Sequence, residues 1–84
     1  MDRSKLIELS LKYNVPSSYY SFQQQGSDTW VLEEANAEWR LYYSERGNRF
    51  DQRTYTSEQE ACLAMFNEVN RMLLGDHREP MLRT

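Results

Sequence analysis

The stretch 38-EWRLYYS-44 constrains this chain more than any other. Apolar and polar residues alternate through it. Trp39, Leu41 and Tyr43 fall on one side of an extended strand, and Glu38, Arg40 and Tyr42 on the other. A helix would scatter these residues around its axis. A strand with one apolar side requires a sheet with one covered face, so the neighbouring segments must supply further strands and a cover.

Both kinds of segment are present. In 29-TWVLEE-34, Trp30 and Leu32 share a face, and Ala35-Asn36 is a plausible turn into the central strand. In 49-RFDQRTY-55, alternation predicts Phe50, Gln52 and Thr54 inward and Arg49, Asp51, Arg53 and Tyr55 outward. Between the last two strands lies SERGNR, with Gly47 and Asn48 suited to positive φ. Residues 4–13 place Leu6, Leu9 and Tyr13 at helical spacing, with Ile7 and Leu11 alongside. Ser4 can cap that helix, Asn14 suits its left-handed end, and Pro16 follows where a helix cannot continue. Ser57 and Glu60 form a capping box, with Thr56 and Gln59 one residue earlier as the alternative. The helix that follows buries Ala61, Cys62, Met65, Phe66, Val69, Met72 and Leu73, and Gly75 is its expected stop.

The expected fold is therefore α+β: a three-stranded antiparallel meander, with an N-terminal and a C-terminal helix packed on one face. Residues 1–75 form the expected domain and 76–84 a polar, loose tail. Segment 16–28, rich in turn formers, reads as a loop, and the QQQ at 23–25 is too short to be a low-complexity tract. With 84 residues the chain has room for one core. Large rings should dominate it, with Trp30, Trp39, Phe50 and Phe66 as candidates.

Composition narrows the function. Net charge is −3, whereas general nucleic-acid binders carry a basic excess. The acid is concentrated: 28–38 contains Asp28, Glu33, Glu34 and Glu38 without a base, while 40–53 contains Arg40, Arg46, Arg49 and Arg53 against Glu45 and Asp51. No catalytic set converges. Cys62 falls on the buried stripe and His77, the one histidine, lies beyond the last helix. No cysteine and histidine spacing suits zinc, no phosphate loop occurs, and Glu33 and Glu34 point to opposite strand faces. Hence no enzyme activity, metal or cofactor is expected. The single cysteine fits a reducing compartment, and 1-MDRSKLIEL-9 lacks the apolar core of a signal peptide. A cytoplasmic address and no membrane span are expected. What remains is a binding module whose uncovered sheet face meets a partner. An acidic face flanked by rings suits a basic protein, with Asp28, Glu33, Glu34, Glu38, Arg40 and Tyr42 as the expected contacts. An adaptor domain using the same face for another protein is the alternative. A small RNA-binding domain, with the arginines of 40–53 between tyrosines, is a more distant one.

Three stretches, 13-YNVP-16, 39-WRLYYSERGN-48 and 57-SEQEAC-62, carry a resemblance. Together, over roughly residues 13–70, the chain resembles small bacterial immunity proteins of polymorphic-toxin and contact-dependent growth-inhibition systems. Their pattern has phenylalanine before the last helix, where this chain has Tyr55, and 28–38 lies largely outside it. The resemblance implies an antitoxin that binds the C-terminal domain of a cognate secreted toxin as a monomer in a 1:1 complex. The toxin would be a nuclease, with tRNA or other RNA as the favoured target. The antitoxin would cover its cleft without touching nucleic acid itself.

Overall fold

A computed structural model of the chain describes residues 1–23 and 27–83. The QQQ reading at 24–25, Gly26 within the 16–28 loop, and the last residue of the expected tail lie outside them.

The chain is α+β, with two helices on one face of a four-stranded mixed sheet. In order, α1 is Arg3–Lys12, a 3-10 turn covers Ser17–Tyr19, and β1 is Tyr20–Ser21. Then β2 is Thr29–Ala35, β3 is Glu38–Glu45, β4 is Asn48–Tyr55 and α2 is Glu58–Gly75. The sheet order is β1-β2-β3-β4. The three-stranded meander expected from sequence is thus corrected. β2, β3 and β4 are antiparallel neighbours, but β1 adds a fourth strand, parallel to β2 through Tyr20 opposite Trp30 and Ser21 opposite Val31. Two residues show no readable alternation, which is why this strand looked like loop.

Both meander turns have two central residues at positive φ, the geometry that matches the twist of adjoining strands. Between β2 and β3 these are Asn36 (54°) and Ala37 (63°). Between β3 and β4 they are Arg46 (50°) and Gly47 (80°), one residue earlier than the Gly47-Asn48 expectation, because Asn48 pairs with Glu45. A further left-handed residue, Asp51 (φ 54°), marks a bulge. Leu41 pairs with Arg53 but Tyr43 with Phe50, so Asp51 and Gln52 together oppose Tyr42. The bulge reverses the alternation of β4. Arg53 and Tyr55, expected outward, turn to the helix side, while Thr54 shares the other face with Arg40.

The core lies between this sheet face and the helices. Trp30, Leu32, Trp39 and Leu41 meet Ala61, Cys62, Met65, Phe66, Val69 and Leu73 of α2, with Leu6 and Leu9 of α1. Each fully buried large apolar side chain contributes about 1.5–3 kcal/mol. Phe50 is not part of it: it sits at the sheet edge, 46% exposed. On α1, Leu6 and Leu9 are buried, while Ile7 and Leu11 face outward.

The helix ends are closed by side chains and local turns. Asp2, rather than Ser4, caps α1, its carboxylate accepting from the Lys5 amide at 2.8 Å. Ser57 caps α2, its Oγ accepting from the Glu60 amide at 3.2 Å. Asn14 (φ 54°) ends α1, with the Val15 amide donating to the Ser10 carbonyl. The same closure recurs after α2, where His77 (φ 59°) takes the left-handed position and the Arg78 amide donates to Leu73. Gly75, the expected stop, is still helical. Beyond it the chain turns back, and Met81 is buried in the core at 2% exposure.

Left-handed residues other than glycine carry a backbone cost. Ala37→Gly and His77→Gly should each raise unfolding free energy by about 0.5–1 kcal/mol. Gly47→Ala meets no atom within 4 Å, so only its φ opposes it. It should lower stability by about 1 kcal/mol. Urea titrations of the three variants measure all three signs.

Candidate functional site

Neither helix packs on the second sheet face, which carries Thr29, Val31 and Glu33 of β2, Glu38, Arg40, Tyr42 and Ser44 of β3, and Arg49 and Thr54 of β4. Register brings these together: Val31 lies opposite Tyr42, Glu33 opposite Arg40, and Ser44 opposite both Thr29 and Arg49.

At its centre is a three-residue arrangement. The Arg49 guanidinium lies 4.2 Å from the Tyr42 ring centroid and its Nη1 pairs with Glu33 Oε1 at 3.2 Å. The Tyr42 hydroxyl faces Glu33 Oε2 at 3.4 Å. Tyr42, expected to offer its ring to a partner, has no exposed surface. The arginine covers it. Burial, followed by the negative charge of Glu33, raises the Tyr42 pKa above its ordinary value, partly offset by Arg49. Arg49, absent from the expected contact set, belongs to the centre of this face. The signal was present: two-residue turns fix the register that lays position 49 beside position 44.

The other expected contacts separate. Glu38 and Arg40 lie on this face with Glu33 and Tyr42; Glu38 is exposed and Arg40 half-buried. Glu34 is exposed but points to the helix side, opposite Trp39. Asp28 precedes β2 at the far end from Glu34 and Glu38, about 20 Å away at the usual strand rise. There its amide donates to the Ser44 carbonyl at 2.6 Å. The acidic segment therefore divides. Glu34 and Glu38 flank the β2–β3 turn, Glu33 is paired, and Asp28 lies at the other end.

A second charged cluster lies between β4 and α2. Glu68, almost buried, pairs with Arg53 at 3.7 Å and Arg71 at 2.9 Å. Its carboxylate forms one wall of an open cavity of about 340 Å³, completed by Asp51, Gln52, Arg53 and Arg71. Arg53 reaches Glu68 because the bulge turns it to the helix side, where it also sits 5.7 Å from the Trp30 ring. Two arginines of the RNA-binding alternative, Arg49 and Arg53, are thus engaged by carboxylates.

Cys62 is buried near the start of α2, and His77 lies past its end, about 22 Å away at the helical rise. They form no dyad. Burial, then the Glu58 charge, pushes the Cys62 thiol up to about 11. Among the described residues no cluster of histidine, cysteine, aspartate or glutamate is placed to hold a metal ion. No helix among them is long and apolar enough to cross a membrane.

Compared with family models, with curated proteins and with solved structures, the chain matches none.

Tyr19, Tyr42, Tyr43 and Cys62 all have raised pKa values: Tyr19 first through its hydrogen bond to Asp76, the others first through burial. A raised value means the fold favours the protonated form. The stabilisation is fully present below the unfolded values, ordinarily about 8.5 for cysteine and 10 for tyrosine, and is lost as pH rises through the folded ones. Urea midpoints should therefore stay level up to about pH 8 and decline progressively on the alkaline side. At neutral pH a thiol-specific disulfide reagent should modify Cys62 only as fast as the chain opens. The two checks are a midpoint series against pH and a comparison of native and urea-unfolded labelling rates.

Proposed function

We propose that the chain is an immunity protein that binds and neutralises the C-terminal domain of a cognate secreted toxin, a nuclease with RNA as the favoured substrate. The observation that carries this reading is the division of labour between the sheet faces. Several residues of the motifs that carry the resemblance to immunity proteins are built into the scaffold, with Trp39 and Cys62 in the core, Arg46-Gly47 in a hairpin turn and Ser57 at a helix cap, while Arg40 and Tyr42 of the same stretches lie on the helix-free face. The stretch outside those motifs, 28–38, contributes Glu33 to the helix-free face and Glu38 to its turn end. A scaffold common to antidotes with different targets would place its variable residues in this way.

In this reading the exposed acids at the β2–β3 turn, Glu34 and Glu38, steer a basic nuclease cleft. Arg40 and the Tyr42–Arg49–Glu33 arrangement form the drier centre of contact. Binding is 1:1 and blocks the cleft by occlusion, inside the cell that makes both proteins.

Co-expression with the toxin domain encoded beside this chain tests the proposal. The expected outcome is survival with the chain and death without it; equal killing in both cultures would refute it. Glu34→Lys with Glu38→Lys should slow association by about tenfold at low salt, with the difference shrinking as ionic strength rises. Stopped-flow mixing at several salt concentrations reads this. Glu33 is better left intact, since replacing it also removes a carboxylate that Arg49 pairs with.

A further inference from the structure

The segment after α2 is attached in an unusual way. From Glu79 to Arg83 only Met81 is buried; Glu79, Leu82 and Arg83 stay exposed and Pro80 is half-buried. Met81 enters between the two helices. The Asn70 side chain of α2 holds both polar groups of its backbone: the Met81 amide donates to Oδ1 at 2.8 Å, and Nδ2 donates to the Met81 carbonyl at 3.1 Å. From α1, the Ser10 hydroxyl donates to the Met81 sulfur at 3.8 Å. Met81 belongs to the same core cluster as Leu6, Leu9, Val69 and Leu73. One apolar side chain, plus one amide reading the backbone on both sides of it, is how an extended peptide is recognised. None of it depends on the residue being covalently joined to the helix.

The join itself is short and self-contained. His77 closes α2 in the left-handed conformation, and Arg78 still donates to the helix. Asp76, hydrogen-bonded by the Tyr19 hydroxyl, fixes the point from which the segment departs. Past Arg78, release of Met81 frees the strap without breaking a helical hydrogen bond.

We propose that the notch between α1 and α2 is a peptide-binding site, filled here by the chain's own C-terminal segment as a displaceable strap. Its ligand is an extended segment of a partner protein carrying methionine or another unbranched apolar side chain, with that residue's amide and carbonyl free for Asn70. The strap competes from the same molecule at high effective concentration, so a partner segment binds only when the strap is open or outcompeted.

The probe is a fluorescent peptide of sequence 77-HREPMLRT-84 titrated into the full-length chain. Met81→Asp removes the anchor from the strap and leaves the notch vacant. The peptide should bind this variant at least about tenfold more tightly than the unaltered chain. Adding Asn70→Ala should abolish the gain. Absence of binding to a Met81→Asp chain that keeps its amide dispersion in NMR spectra would overturn the proposal. Should that variant fail to fold, hydrogen exchange in the unaltered chain decides. The Met81 amide should exchange at least about tenfold faster than those of Val69 and Leu73, because the strap opens without the helix. Equal protection would make the strap an inseparable part of the core and overturn the proposal. A dimer of the unaltered chain that is lost in Met81→Asp would also overturn it, by assigning the notch to a second copy.

Discussion

The contact of α2 with the helix-facing side chains of β2 and β3 is the constraint on which the other features rest. A sheet of this size has two faces, and the chain has one long amphipathic helix to cover them. Trp30, Leu32, Trp39 and Leu41 take that cover. α1 then packs chiefly against α2, tied to it by the Arg3 amide donating to Glu58 at 2.9 Å, and anchored to the sheet side by the Arg3 guanidinium lying over the Trp39 ring of β3 and the Phe22 ring after β1. The opposite face is left to satisfy itself from within. Tyr42 and Val31 are apolar enough to need shelter there. Arg49 covers the tyrosine ring while its charge is held by Glu33.

The bulge at Asp51 links the two faces. Without the extra residue, Arg53 would stand on the helix-free face, beside Arg40, and Thr54 would turn inward. With it, Arg53 meets Glu68, whose carboxylate would otherwise be buried on α2 with only Arg71 for company. An almost buried carboxylate missing one of its cationic partners is costly, since desolvation is then poorly offset. The bulge thus removes one positive charge from the helix-free face and places it where α2 requires it. That face is left with Glu33 and Glu38 against Arg40 and Arg49, a balance that segment charges do not reveal.

Much of the scaffold was legible because its signals are local. The period of two in β3, the period of 3.6 in α2, the Ser57 cap and the left-handed Asn14 each depend on a few adjacent residues. The misses share one property: they depend on partners distant in sequence. β1 is a strand only because β2 lies beside it. The reversal of β4 requires Asp51 at positive φ, which only the pairing with β3 reveals. Met81 sits in a polar stretch, and only Asn70 and Ser10 explain its burial. The candidate face was legible in part. β3 assigned Arg40 and Tyr42 to it correctly, but the acidic run 28–38 looked like one patch because sequence proximity hides a strand's length.

This geometry reshapes what binding on the helix-free face would involve. Tyr42 can contribute a desolvated ring only if Arg49 moves aside, and a cation competing for Glu33 would loosen one of its contacts. A basic side chain from a partner could supply that cation. It would compete with Arg49 at Glu33 and uncover Tyr42 in the same step. Under the proposed reading, encounter and discrimination would thus rest on different residues: the turn acids would govern the rate of approach, and competition at Glu33 would decide which partners stay.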